Sequence, residues 1–179
     1  TSEGLVIMEP QRGFRVSPIS VEDLKDLSAV RANIESQCLE RSILAGDVAW
    51  EGRVVAAFHE LARTPERVEE DEVRISEAWA STHQRFHVAL VEACDSPWLL
   101  RLRDLLFAQS ERYRRLSVPL EQNPRNLAAE HHGIMEATVN RDIEKATQLL
   151  RGHFGSTTRI LLESKAVSQG VSENINKVS

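Results

Sequence analysis

The segment His83-Gln84-Arg85-Phe86-His87 puts two imidazoles four residues apart. On a helix that spacing leaves them about 40° apart around the axis and ~6 Å along it, so both rings reach one point. The pattern is one residue away from H-E-x-x-H, in which a glutamate beside two zinc-binding histidines serves as general base. Gln84 stands at that position. An amide does not take a proton from metal-bound water, which argues against a metallohydrolase. Glu77 and Glu92 lie six and five residues from His83 and His87, off the motif. Glu130 adjoins His131, but helix geometry turns it about 100° away.

The remaining histidines are His59, His131, His132 and His153. His131 falls in a second helical segment and His153 in a third. Two ligands at i, i+4 and one from each of two other helices can hold a metal inside a bundle. All four rings must then converge to Zn–N distances of ~2.0–2.1 Å. His131 and His132 cannot both face one point, because helix neighbours diverge by about 100°. His59 has no partner nearby in sequence and reads as surface. Spacing alone leaves two alternatives open. One is a metal centre at His83, His87, His131 and His153; the other is a set of imidazoles hydrogen-bonded in a polar core.

The elements that must position these side chains read almost entirely as helix. Ser20-Val21-Glu22-Asp23 resembles a capping box, and Leu24, Leu27, Val30, Ile34, Cys38 and Leu39 follow with helical spacing to Gly46. Asp47 caps a second helix, which Thr64-Pro65 stops. The charged stretch 66–74 reads as a solvated linker or helix start, before a long helix over 72–94 that carries the histidine pair. Asp95-Ser96-Pro97 breaks it. Further helices are predicted over 97–117, from Asn123-Pro124 onward, and over 142–164. The fold class is all-α, an antiparallel bundle of six to seven helices. Residues 1–19 differ: Leu5-Val6-Ile7-Met8 and Phe14-Arg15-Val16 flank turn chemistry at Glu9-Pro10-Gln11-Arg12-Gly13, a β-hairpin pattern. No other strand is expected. A lone hairpin is marginal in water, so it reads as a remnant of another domain. The helical domain spans 20–166, and 167–179 reads as a disordered tail.

Bulk properties narrow the function classes. The 179 residues carry 22 basic and 27 acidic side chains, a net charge of −5. That balance disfavours non-specific binding to nucleic acid or an anionic membrane. No apolar run approaches the ~20 residues of a membrane span. The N-terminus lacks a basic region followed by an apolar core, so the cytoplasm is the expected compartment. Cys38 and Cys94 match no metal or redox spacing and read as buried free thiols.

The order of motifs resembles the all-helical FCD sensing domain of GntR-type bacterial transcription regulators. Its strongest stretch is Phe86-His87-x-x-Leu90-x-x-Ala93 followed by Ser96-Pro97-Trp98-Leu99. Next come Glu130-His131-x-x-Ile134-x-x-Ala137 with Arg141-Asp142 and Ala146, and then His153 one turn past Leu149-Leu150. Arg31-x-x-x-Glu35 matches a further family pattern. The hairpin, Glu3-Gly4-Leu5-Val6 with Pro10-x-x-Gly13-Phe14-x-Val16, resembles the wing of the winged helix-turn-helix that precedes such sensors. The chain would then begin after the recognition helix, with Arg12 in the wing as its DNA-contacting residue.

The resemblance implies a homodimeric, non-enzymatic regulator. A small carboxylate would bind at a histidine-held metal, and occupancy would change how paired DNA-binding domains engage an operator. His87, His131 and His153 match the family's three histidines. His83 departs from it, standing where the family usually has aspartate. Four neutral imidazoles around M²⁺ carry net +2 rather than +1 and favour zinc, with nickel or cobalt next, over manganese or magnesium. Arg31 is the first candidate to pair the effector's carboxylate, followed by Arg112 and Tyr113.

Overall fold

The computed structural model describes residues 6–9, 13–16, 20–68, 71–117 and 125–163. Strands β1 (Val6–Glu9) and β2 (Gly13–Val16) pair antiparallel, with Val6 opposite Val16 and Glu9 opposite Gly13. Six helices then follow among the described residues: α1 (Val21–Ala45), α2 (Val48–Arg63), α3 (Glu77–Val91), α4 (Pro97–Ser117), α5 (Leu127–Val139) and α6 (Ile143–Glu163). The tail expected to be disordered lies outside the described residues, as does Arg12.

Side-chain caps start most of these helices. Ser20 Oγ accepts from the Asp23 amide at 2.9 Å, Asp47 Oδ1 from Trp50 at 2.8 Å, and Asn126 Oδ1 from Ala129 at 2.9 Å. Each such cap contributes ~1 kcal/mol. The capping-box residue at the start of α1 and the Asp47 cap agree with the sequence reading. The stretch before α3 does not. Arg67–Val68 (β3) pairs antiparallel with Asp71–Ile75 (β4), and α3 starts five residues later than predicted. Val68, Val73 and Ile75 are β-branched and suit a ribbon. Ser76, whose Oγ accepts from the Trp79 amide at 3.4 Å, supplies the true helix start.

α1 packs along α6 and α4, α5 packs on α6, and α2 packs on α3. One core joins Leu39, Trp50, Phe86, Leu90, Ile134 and Leu150. Trp50 is 1% exposed and donates its indole N–H to Ala89 O at 2.9 Å. It packs so closely under Gly46 that a Cβ there would lie 2.1 Å from its ring. Glycine at Gly46 is therefore what allows the α1–α2 corner over the indole. The α5–α6 corner is tied to the same place. Arg141, at φ 57°, donates to Ile43 O at 2.8 Å and Gly46 O at 2.7 Å, and also pairs with Glu51. Those contacts satisfy carbonyls at the end of α1 that have no helical partner. Cys38 and Cys94 are both buried and free, as expected. Burial and the adjacent Cys94 thiol push the Cys38 thiol up to about 12. No helix among the described residues is long and apolar enough to cross a membrane.

Candidate metal centre

α3, α5 and α6 bring four imidazoles to one point in the interior. His83 and His87 come from one face of α3, His131 from α5 and His153 from α6. Their exposures are 4%, 0%, 1% and 6%. Each offers a ring nitrogen, and those four nitrogens all lie within 4.8 Å of one another. The His83 and His87 Nε2 atoms are 3.2 Å apart. A tetrahedron with ~2.1 Å bonds has edges of about 3.4 Å, so this pair is at ligand spacing and the set is slightly expanded overall. Aromatic walls hold the rings. Trp79 stacks on His83 at 4.7 Å and 20°, and Phe86 meets His131 edge-on at 5.4 Å.

The donor set suits a borderline transition metal. Burial, reinforced by the neighbouring imidazoles, pushes His83, His87 and His131 well below the ordinary histidine range. His153 is also lowered by burial, against the opposing pull of Glu130. All four are neutral at pH 7 and can offer lone pairs. His83 Nδ1, His87 Nδ1 and His131 Nε2 are buried without a hydrogen-bond partner. Unpaired buried nitrogens cost ~1–3 kcal/mol each, so polar groups rarely stay so unless something else engages them. A metal at the centre would engage the orphan at His131. The two Nδ1 atoms of α3 lie on the far side of rings whose Nε2 atoms face the centre.

His153 has the outer partner that metal-bound histidines usually have. Its Nδ1 lies 2.8 Å from Glu130 Oε2. Arg125 closes the group, donating to both Glu130 oxygens, to Thr157 Oγ1 at 3.0 Å and to His153 O at 3.1 Å. Burial opposes ionisation of Glu130, but the hydrogen bonds from His153 and Arg125 outweigh it and hold its carboxyl at about 2. The sequence reading turned Glu130 away from the site because it faces away from His131. That angle is right on α5, but the partner of Glu130 is on α6. Arg125 and Trp79 were not singled out either; nothing local in sequence marks them.

Beside the histidines lies a cavity of about 40 Å³, lined by Arg31, His83, Ser110, Tyr113, Arg114 and His153 among others. Arg31 is 8% exposed, and its Nε donates to Glu35 Oε1 at 3.0 Å. Its guanidinium carbon lies 4.2 Å from the Phe154 ring centre. Glu35 also accepts from Arg103 Nε at 3.3 Å, so two buried arginines share one carboxylate. Tyr113 lines the cavity too, with its hydroxyl donating to Asp23 Oδ2 at 2.6 Å. Arg112 is on α4, but its side chain lies outside the described residues. Gln84, Glu77 and Glu92 are all exposed, and Glu92 pairs with Arg53. His59 is exposed as expected, and His132 is exposed beside Glu136 at 3.7 Å.

The FCD domain family matches residues 26–156, and the chain belongs to that family. It is 39% identical over 160 residues to the HTH-type transcriptional regulator BphR of Paraburkholderia xenovorans (strain LB400), covering 89% of this chain and 65% of that protein. It is 32% identical over 172 residues to the HTH-type transcriptional repressor GlaR of Escherichia coli (strain K12), covering 92% of this chain and 76% of GlaR. A GntR-family regulator from Pseudomonas syringae pv. tomato str. DC3000 has the same fold, with TM-score 0.69 at 18% identity over 97% of this chain and 68% of that one. A GntR-type regulator from Rhodococcus sp. RHA1 gives 0.65 at 21% identity over 89% and 74%. The chain is thus an FCD domain, similar to the FCD-bearing part of HTH-type transcriptional regulators, and it spans less than two thirds of the length of BphR.

Proposed function

We propose that this domain senses a small carboxylate at a divalent transition metal, zinc before nickel or cobalt, held by His83, His87, His131 and His153. Occupancy would govern operator binding by a homodimer in the cytoplasm, through a winged helix-turn-helix to which residues 1–19 contribute the wing and Arg12. The observation that carries the reading is the convergence of four buried imidazole nitrogens within 4.8 Å, with His131 Nε2 lacking any other partner. A metal bound there would offer a carboxylate oxygen a position by expanding its coordination beyond the four imidazoles. Arg31, on the wall of the same cavity, gives that anion a cation, its Nε engaged by Glu35. Glu130 fixes the His153 tautomer with Nδ1–H outward, leaving Nε2 free toward the centre. Trp79, Phe86 and Phe154 keep water from the imidazoles.

A metal-free polar core is the second reading. The His83–His87 nitrogen contact at 3.2 Å is the observation that favours it. Elemental analysis of untagged protein separates the two. Roughly one zinc per chain, with chelator-sensitive melting, supports the metal reading. Negligible metal that zinc addition does not change, with melting indifferent to chelator, overturns it. A thermal-shift screen of dicarboxylates, hydroxy acids and sugar acids on the metal-loaded protein then identifies the effector class.

A further inference from the structure

The cavity beside the histidines is small. Its 40 Å³ accommodates a few water-sized groups, since each needs about 10–15 Å³. On the outer side of the same two helices, α1 and α6, runs an open groove of about 510 Å³. Ser28 and Thr158 line both spaces. The two hydroxyls are 2.7 Å apart, and both residues are only partly buried. The Thr158–Ser28 hydrogen bond between α6 and α1 therefore stands where cavity and groove adjoin.

The groove carries more basic than acidic side chains. Ala29, Ala32 and Gly155 form a low floor. Lys25, Arg151 and Arg159 stand on the rim against one acid, Glu163, in a chain whose net charge is −5. The charged ends of Lys25 and Arg159 have no partner among the described residues. A Cβ added at Gly155 would meet nothing within 4 Å, so that floor position opens onto free space.

We propose that the α1–α6 groove is an anion-collecting vestibule for the histidine cavity, and that the Ser28–Thr158 pair is the partition a ligand must part to enter. The ligand's anionic character rests on the sensor reading above; the route does not. Separation of two hydroxyls costs one neutral hydrogen bond, which solvent in the groove replaces. A second cavity, of about 130 Å³ between α2, α3 and α5, is the competing route. It touches His131 alone of the four imidazoles.

Carbethoxylation of metal-free protein by diethylpyrocarbonate, read residue by residue by mass spectrometry, tests the route without any metal. The Ser28→Cys/Thr158→Cys pair can be bridged, because the native oxygens already touch. Bridging should slow modification of His83 and His153 by about tenfold or more, and reduction should restore it. Gly155→Phe, which fills the groove without meeting a neighbour, should slow the same two residues. Exposed His59 and His132 serve as internal references. Unchanged rates at His83 and His153 in both variants overturn the proposal. The charge arm uses oxalate binding to Co²⁺-loaded protein. Lys25→Glu/Arg159→Glu should slow oxalate association several-fold at low salt and much less at high salt. Equal association rates overturn the anion-collecting role. Failure of the wild-type protein to take up Co²⁺ would instead overturn the sensor reading, and the histidine footprint would still decide the route.

Discussion

Replacing Glu130 with glutamine keeps the shape of the side chain and removes the charge that His153 and Arg125 both engage. Two effects follow. The first is on stability without metal. Glu130 titrates at about 2 in the fold against an ordinary value of 4.5. A tenfold change in proton affinity is worth ~1.4 kcal/mol, so the charged form contributes on the order of 3 kcal/mol, an upper figure because solvent screens this partly exposed carboxylate. Because the folded value is depressed, that contribution is present above pH 4.5 and is lost as pH falls toward 2. Urea unfolding should therefore find Glu130→Gln less stable at pH 7, with the gap to wild type narrowing below pH 4.5. The second effect is on metal. A carboxylate that orients a ligating histidine is worth about 10–100-fold in affinity, or ~1.4–2.7 kcal/mol. The amide oxygen of Gln can still accept from Nδ1–H, which puts Glu130→Gln near the lower end and Glu130→Ala near the upper. Competition titration of zinc against a chromophoric chelator measures both. Wild-type affinity in both variants, with the fold intact, would refute the assignment of Glu130 as the residue that positions His153.

Three further outcomes are expected. His87→Ala removes a fully buried nitrogen from the centre, so chelator should no longer lower the melting temperature; at ~100-fold excess of metal over its dissociation constant that linkage is worth ~2.7 kcal/mol. Gly46→Ala forces a methyl against the Trp50 ring and should destabilise by about 1–3 kcal/mol in urea unfolding, although its backbone angles suit alanine. Cys38, buried and pushed up to about 12 from 9.0, should resist iodoacetamide at pH 8 in the native state. Its raised value means stability is kept below pH 9 and lost as pH rises from there toward 12, which alkaline unfolding curves check.

The sequence alone determined whatever depends on a few neighbouring residues. Caps at Ser20 and Asp47 and the 3.6-residue apolar repeat defined the helices, because hydrogen bonding and side-chain direction within a helix are local. The same geometry put His83 and His87 on one face of α3. Placement on two further helices made His131 and His153 candidates, and motif order supplied the family whose three histidines match His87, His131 and His153. Local rules failed at Arg67–Ile75, where dense charge masked β-branched residues able to pair.

Tertiary structure decided the rest. Convergence of α3, α5 and α6 is a matter of crossing geometry, which no helix encodes by itself. The Glu130–His153 contact joins residues on two helices. Arg125, five residues before Glu130, precedes α5 and acquires meaning only from what α6 presents to it. Arg31 was legible as a candidate cation for a carboxylate. That it lines the histidine cavity while sharing Glu35 with Arg103, 68 residues from Glu35, follows from α1 packing between α4 and α6. Helix faces are written in the spacing of residues; which faces meet is fixed only when the helices pack.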